Sequence, residues 1–327
     1  CTVLLRNNRV LQLADVGSVA VIGTFAQTPS FQGAGSSQVN PTRVEAFLPA
    51  LRDHLGPRAE VTYAPGYDPI ASQPDDQLVQ DAARVAAEAD VAVLLVGLPD
   101  RYESEGFDRS GMALPIQHDR LVEVVCRANP NTVVCLSHGA PVEMPWADRP
   151  AALVDAYLGG QASGGALVDV LFGRTSPAGR LAETIPLRST DVPSDQWFPG
   201  SARQVQYREG LFVGYRYYDT VGADVRFPFG HGLTFTTFDY EQLRVQPDAV
   251  EVPDPGDLHG GIRAAGDSAD DPGSGPVEVR LYLTNVGPRA GAEVVQVYVS
   301  PPDGPPARPH RQLAGFAKVQ LVPGECS

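Results

Sequence analysis

Asp90-Val91-Ala92-Val93-Leu94-Leu95-Val96-Gly97 is a nearly unbroken apolar run, and Asp100-Arg101-Tyr102-Glu103-Ser104-Glu105-Gly106-Phe107-Asp108-Arg109 follows it closely. The first stretch is apolar at every position instead of at alternate ones, and short, so it reads as a strand buried on both faces of a parallel sheet. The charged loop then stands at a strand's carboxyl end, the edge where open α/β sheets bind ligands. Asp100, Arg101, Glu103, Glu105, Asp108 and Arg109 crowd together there, with only Ser104 between two of the carboxylates. Such crowding is unfavourable unless a site uses it. A solvated loop with self-paired charges is the alternative; its place after the most apolar strand favours chemistry.

Working outward, the same rhythm of strand and helix extends in both directions. Upstream, Ser18 to Gly23 and Glu60 to Tyr63 read as strands and Asp75 to Ala89 as a helix packing through Leu78, Val79, Ala82, Ala83, Val85 and Ala86. Pro41 to His54 reads as an amphipathic helix capped by Asn40, with Val44, Phe47, Leu48 and Leu51 inward and a kink at Pro49. Downstream come a helix over Ile116 to Asn129, strands over Asn131 to Leu136 and Ala151 to Leu158, and a helix over Gln161 to Phe172. This alternation predicts an α/β fold, a mostly parallel sheet sandwiched by helices. The apolar opening, Cys1 to Asn8, asks for a strand partner upstream, and with no initiator methionine the chain reads as truncated there. Phe31-Gln32-Gly33-Ala34-Gly35-Ser36-Ser37 lacks the lysine and third glycine of a phosphate loop. It suits a crevice wall offering hydroxyls and amides to a neutral ligand.

From Gly173 the pattern changes. Pro177, Pro186, Pro193 and Pro199 break Arg174 to Gly200 into a long surface loop, and Tyr207 to Asp219 is rich in aromatics. Gln246 to Gly275, with recurrent Asp, Gly and Pro, reads as a linker or insertion. Val277 to Thr284, Val294 to Val299 and Phe316 to Val322 alternate as strands of a partial all-β, immunoglobulin-like sandwich, cut short at Ser327. The expected domains are 1–240, an α/β sandwich, and 241–327, a truncated fibronectin type III-like domain.

A chain of 327 residues suits two domains. A net charge of −14 without a basic patch argues against nucleic acid or an anionic membrane as partner, and no apolar run is long enough to span a bilayer. Cys1, Cys126, Cys135 and Cys326 have no metal-ligand spacing and form no disulfide framework, which points to a reducing, cytoplasmic setting, with secretion left open by the truncated start. Neither a metal nor a cofactor is implied.

Glu103-Ser104-Glu105-Gly106-Phe107-Asp108-Arg109 with Leu114-Pro115 and Gln117, then Gly139-Ala140-Pro141-Val142-Glu143-Met144-Pro145-Trp146, Gly159-Gly160-Gln161, Pro177-Ala178-Gly179-Arg180-Leu181, Val213-Gly214-Tyr215-Arg216-Tyr217-Tyr218-Asp219 and Phe227-Pro228-Phe229-Gly230-His231-Gly232 resemble glycoside hydrolase family 3 of the β-glucosidase type. The resemblance runs in order along nearly the whole chain. It implies an upstream TIM-like barrel carrying an aspartate nucleophile, a second α/β domain supplying the acid/base glutamate, and a fibronectin type III-like third domain. This chain corresponds to the second domain and part of the third. It implies a carbohydrate substrate and a retaining mechanism, and a chain inactive when isolated from its barrel.

By the family motif the acid/base is Glu105, with Gly106 leaving room for substrate. Glu103 and Asp108 are expected to support it by like-charge repulsion, and Arg109 to pair with Asp108 and fix the loop. Glu103 and Glu143 are the alternative carboxylates; the flanking Pro141, Pro145 and Trp146 suit Glu143 to orienting a wall. His138 and His231 read as hydrogen-bonded turn residues. Tyr215, Tyr217 and Tyr218 suit a strand between domains, and Trp146 and Trp197 are candidates for stacking on sugar. The competing functional reading is a carbohydrate-binding or domain-interface module with no chemistry of its own.

Overall fold

The computed structural model describes residues 2–13, 15–201, 203–246, 277–302 and 307–327. It divides into one compact unit of Cys1–Phe235 with Gly291–Val319, and a second of Thr236–Ala290 with Gln320–Ser327.

The first unit is built on a six-stranded sheet: β1 (Val3–Asn7), β2 (Ser18–Ile22), β3 (Glu60–Ala64), β4 (Val91–Gly97), β5 (Thr132–Ser137) and β6 (Ala152–Asp155), in the order β1-β6-β5-β4-β2-β3. The pairings from β3 through β6 are parallel, and β1 closes the edge antiparallel to β6. The partner that the opening apolar run requires is therefore Ala152–Asp155, far along the same chain, which corrects the expectation of an upstream one. All seven residues of β4 are buried, as its continuous apolar run demands of a central strand with both faces covered.

Alternate residues of each strand feed two cores. On one face Ile22, Leu94, Val96, Val134 and Leu136 pack against α2 (Asp76–Ala87) and α3 (Ile116–Ala128). On the other, Val21, Val93, Leu95, Val133 and Val154 meet α1 (Phe47–Leu55) and α4 (Ser163–Leu171). In α3, Leu121, Val122 and Val125 are fully covered, each worth about 2 kcal/mol of burial. Asp75 caps α2 by accepting from the Gln77 and Leu78 N–H groups at 2.8 and 3.3 Å.

Helix α1 starts later than its apolar spacing predicts. Pro49 is its third residue, where a backbone N–H has no intrahelical partner to lose, so it marks the first turn instead of kinking a longer helix. Val44 stands outside the helix, 37% exposed. Tyr215, Tyr217 and Tyr218 likewise belong to a helix, α5 (Tyr215–Val221), and not to a strand. Gly214 and Gly222, at φ 55° and 64°, bracket it with turns that an extended segment would not need. The Pro-rich segment contributes the short β7 (Ile185–Pro186), paired with β8 (Val225–Phe227). Of β-type structure in this unit there is also β11 (Gly291–Val299), which neighbours β12 (Gln312–Leu321).

The second unit holds an antiparallel pair, β9 (Phe238–Gln246) and β10 (Glu278–Asn285), with a bulge between Arg280 and Tyr282. Asn285 is fully buried and satisfied there, accepting from the Thr236 hydroxyl at 2.6 Å and donating to the Arg289 and Leu321 carbonyls. The fold class is thus the expected one, a mostly parallel sheet between helices followed by antiparallel strand pairs. Apart from Gln246, the expected linker over Gln246 to Gly275 lies outside the described residues. Among those residues no helix is long and apolar enough to cross a membrane.

Candidate active site

The chain leaves β2 toward the α1 face and leaves β4 toward the α3 face, so their carboxyl ends form the switch point where an α/β sheet opens a crevice. The charged loop follows β4 into this place, and the glycine- and serine-rich loop follows β2. They touch: the Glu105 N–H donates to the Ala34 carbonyl at 3.3 Å, and the Ser36 hydroxyl donates to Glu105 Oε2. A side chain on Gly35 would stand 2.9 Å from Glu105 Cβ, so glycine there permits the approach.

The loop is pinned on both sides of Glu105. The Leu98 N–H extends the β4–β5 ladder to the Ser137 carbonyl, and Tyr102 turns back on Pro99 at 2.8 Å. Arg101 donates to the Ile70 and Ala71 carbonyls. Glu103 accepts the backbone N–H groups of Gly139 and Ala140 at 2.6 and 3.1 Å. A Cβ on Gly139 would fall 2.3 Å from Glu103 Oε1, so this clasp requires glycine. Beyond the tip, Arg109 donates to the Pro141 carbonyl at 3.1 Å and the Met112 carbonyl accepts from the Glu143 N–H at 2.9 Å. Between these anchors Glu105, Gly106, Phe107 and Asp108 are exposed. Gly106 sits at φ 100° with open space where a side chain would be, so its backbone conformation selects glycine.

The supporting residues are arranged differently from expectation. Arg109 approaches Glu103, at 3.9 Å, and not Asp108. Burial pushes the Arg109 guanidinium down and Glu103 partly restores it. Glu103 directs its charge at two amides and an arginine, so it acts as an anchor and is not free to oppose Glu105. Asp108 lies on the exposed side and, with Arg109, lines a cavity of about 860 Å³ that also touches Glu183, Tyr215 and Phe229. Glu143 accepts the Ser189 N–H at 2.6 Å, tying the β5–β6 connection to the turn at 189–191.

Trp146 is fully buried and donates its indole N–H to Asp119 at 2.7 Å, so it offers no face to a sugar. Arg208 lies 3.8 Å over the ring of Trp197, occupying one stacking face. His231 stacks on Phe227 and its Nε2 lies 2.8 Å from the Leu5 carbonyl. His138 is wholly buried with Nε2 3.3 Å from Asp155 Oδ2. Asp155 and Glu183 escaped the sequence reading. The available signal was an acid ending a buried strand, Ala152-Leu153-Val154-Asp155, where a carboxylate needs a partner. Among the described residues no group of three or more His, Cys, Asp and Glu is arranged to hold a metal ion.

The sequence profile of the glycosyl hydrolase family 3 C-terminal domain matches residues 2–215. The chain belongs to glycoside hydrolase family 3. A fibronectin type III-like domain matches residues 293–327 of this family 3 chain. Thermostable beta-glucosidase B of Acetivibrio thermocellus is 44% identical over 99% of the chain, and an exo-alpha-(1->6)-L-arabinopyranosidase of Bifidobacterium breve is 40% identical over 94%. The chain spans 40% and 37% of those two proteins' lengths. The crystal structure of a Bifidobacterium adolescentis GH3 beta-glucosidase matches with a TM-score of 0.87 at 39% identity, covering the whole chain and 44% of that protein. Beta-glucosidase 3B from Thermotoga neapolitana, in complex with glucose, matches with a TM-score of 0.79 at 27% identity.

Proposed function

We propose that this family 3 segment supplies the general acid/base of a retaining β-glycosidase that releases terminal β-linked sugars, and that Glu105 is the residue. The observation that carries this reading is the exposed Glu105 carboxyl at the crevice between β2 and β4, held by Ser36 and flanked by anchors on both sides. In the first step its protonated form gives a proton to the departing glycosidic oxygen. In the second its carboxylate takes a proton from water attacking the glycosyl-enzyme. The nucleophile must stand about 5–5.5 Å from it and come from a barrel domain upstream, the partner this chain requires. Without that domain the chain neither forms a glycosyl-enzyme nor turns over substrate.

Supporting this reading, the relatives' names are those of glycosidases and their chains are more than twice this length. The test joins the chain to a nucleophile-bearing barrel and follows hydrolysis of an aryl β-glucoside. Glu105→Ala lowers kcat/KM by about 10²–10⁴-fold for poor leaving groups, and with an activated aryl leaving group, where breakdown of the glycosyl-enzyme limits turnover, azide restores part of it by forming a glycosyl azide. Undiminished turnover in Glu105→Ala overturns the assignment.

A further inference from the structure

Next to the Glu103 clasp lies a cluster of ionisable groups, two of them fully buried, that the reaction as described does not use. His138 follows β5 and immediately precedes Gly139 and Ala140, the residues whose amides hold Glu103. The His138 and Asp155 side chains are both fully buried. Asp155 Oδ1 accepts the Tyr157 N–H at 3.0 Å while Oδ2 faces His138 at 3.3 Å, off-line for a hydrogen bond. The Tyr157 ring lies against the imidazole at 5.2 Å and its hydroxyl donates to Glu183 at 3.1 Å. Neither imidazole nitrogen has a hydrogen-bond partner among the described residues. A neutral imidazole beside an unpartnered buried carboxylate oxygen would leave both undercompensated, whereas an imidazolium satisfies the carboxylate through charge.

We propose that His138, as a buried imidazolium, is a positioning residue for the acid/base loop, acting through the Gly139–Ala140 amides and Glu103. The proposal rests on the reading of Glu105 as proton donor. Asp155 of β6, Glu183 before β7 and Glu103 of the loop after β4 all act on His138, and Arg109 stands 3.9 Å from Glu103. Three carboxylates thus share one neighbourhood with two cations. If His138 loses its proton, only Arg109 remains, and Asp155 and Glu183 oppose the charge that the clasp must hold. Glu103 then releases the amides, and the loop carrying Glu105 loses its anchor beside the sheet. Burial alone pulls the imidazole down, but Asp155, then Glu183 and Glu103, outweigh it and hold it above its ordinary value. Glu183 is itself pushed up by burial, against the Tyr157 hydroxyl and His138. A rise in pH through the raised His138 value therefore loosens the clasp.

Amide hydrogen exchange on the chain itself reads the clasp without needing catalysis. In His138→Asn and in Glu103→Gln, the clasped amides of Gly139 and Ala140 and the hydrogen-bonded amides of Tyr102 and Glu105 exchange about tenfold faster while those of β4 and β5 keep their rates, and the double variant adds nothing further. Imidazole NMR finds His138 titrating above the ordinary histidine value. In the enzyme joined to its barrel, His138→Asn lowers kcat/KM about tenfold for phenyl β-glucoside and leaves 2,4-dinitrophenyl β-glucoside, whose departure needs no proton, near wild type. Should His138→Asn fail to fold, Asp155→Asn keeps an acceptor for the Tyr157 N–H, removes the facing charge and loosens the same amides. Wild-type exchange in both variants, or a His138 that titrates at or below the ordinary histidine value, overturns the proposal whatever Glu105→Ala does. Undiminished turnover in Glu105→Ala overturns the proton-donor reading instead, even with the loop loosened.

Discussion

Replacing Gly139 by alanine isolates the contribution of the Glu103 clasp with one methyl group and no change of charge. The added Cβ would lie 2.3 Å from Glu103 Oε1 and 3.1 Å from its Cδ, while the other near atom, Leu158 Cδ1, is 3.3 Å away and can shift. Gly139 is not among the positive-φ glycines, so alanine tolerates the backbone. The carboxylate must leave, and with it two charge-assisted bonds of 2.6 and 3.1 Å. Each such bond is worth about 1.5–3 kcal/mol when its partners are shielded. Glu103 is partly exposed, so water recovers much of that value on release, leaving a net loss of about 2 kcal/mol. At 1.4 kcal/mol per factor of ten this is about a thirtyfold rise in the open population of the loop. Hydrogen exchange of the Tyr102, Glu105 and Ala140 amides measures it directly, with β4 amides as the internal reference. Glu103→Gln added to Gly139→Ala contributes little more, because the interaction is already gone. A fully additive pair, or a loop whose protection survives the alanine, would refute the clasp as the anchor.

Other parts of the structure give independent expectations. Arg180 makes two 2.8 Å bonds to Glu293, with side chains only 10% and 13% exposed; Arg180→Ala leaves that carboxylate with the Val294 N–H but no countercharge and costs about 3 kcal/mol in urea denaturation. Trp146→Phe removes the indole donor and part of a fully buried ring, lowering stability by about 2–3 kcal/mol, and leaves sugar affinity in isothermal titration unchanged because Trp146 is not exposed. Burial raises Asp119 from 3.8 to about 6 against the opposing Trp146 hydrogen bond, so the folded chain binds this proton more tightly than the unfolded one. The group's contribution to stability is therefore greatest below about pH 4 and falls as pH rises to about 6. Asp119→Asn, which keeps an acceptor for the indole, removes that slope and raises stability at pH 7 by about 1–2 kcal/mol, read from Tm across that range.

The sheet was legible because its central strands are short and almost continuously apolar, β4 at every position, a pattern that two covered faces impose. The position of the Glu105 loop at the sheet's carboxyl edge was legible from its place after β4. What escaped depends on contacts between residues distant in sequence. Val3 pairs with Asp155 across most of the α/β region, so no local pattern could have named the partner of β1. Glu103 and Glu105 look alike in a string of charges, and only the turn after β5, which brings two amides to Glu103, tells the anchor from the exposed acid. Pro49 was misread because the same residue breaks a helix interior and suits a first turn. Trp146 followed an aromatic-sugar expectation, while the fold uses it as core with a polar handle.

The antiparallel strand at the sheet's border has a bearing on how such a protein can be handled. Val3–Asn7 is bonded on one side to Ala152–Asp155 and on the other through a bridge between Leu4 and Leu233. A recombinant boundary placed after Asn7 would strip the cover from Ala152–Asp155 and present a bare, apolar ladder of N–H and C=O groups to any neighbouring molecule, which is how sheets polymerise edge to edge. Five residues of β1 thus keep the border of the sheet covered.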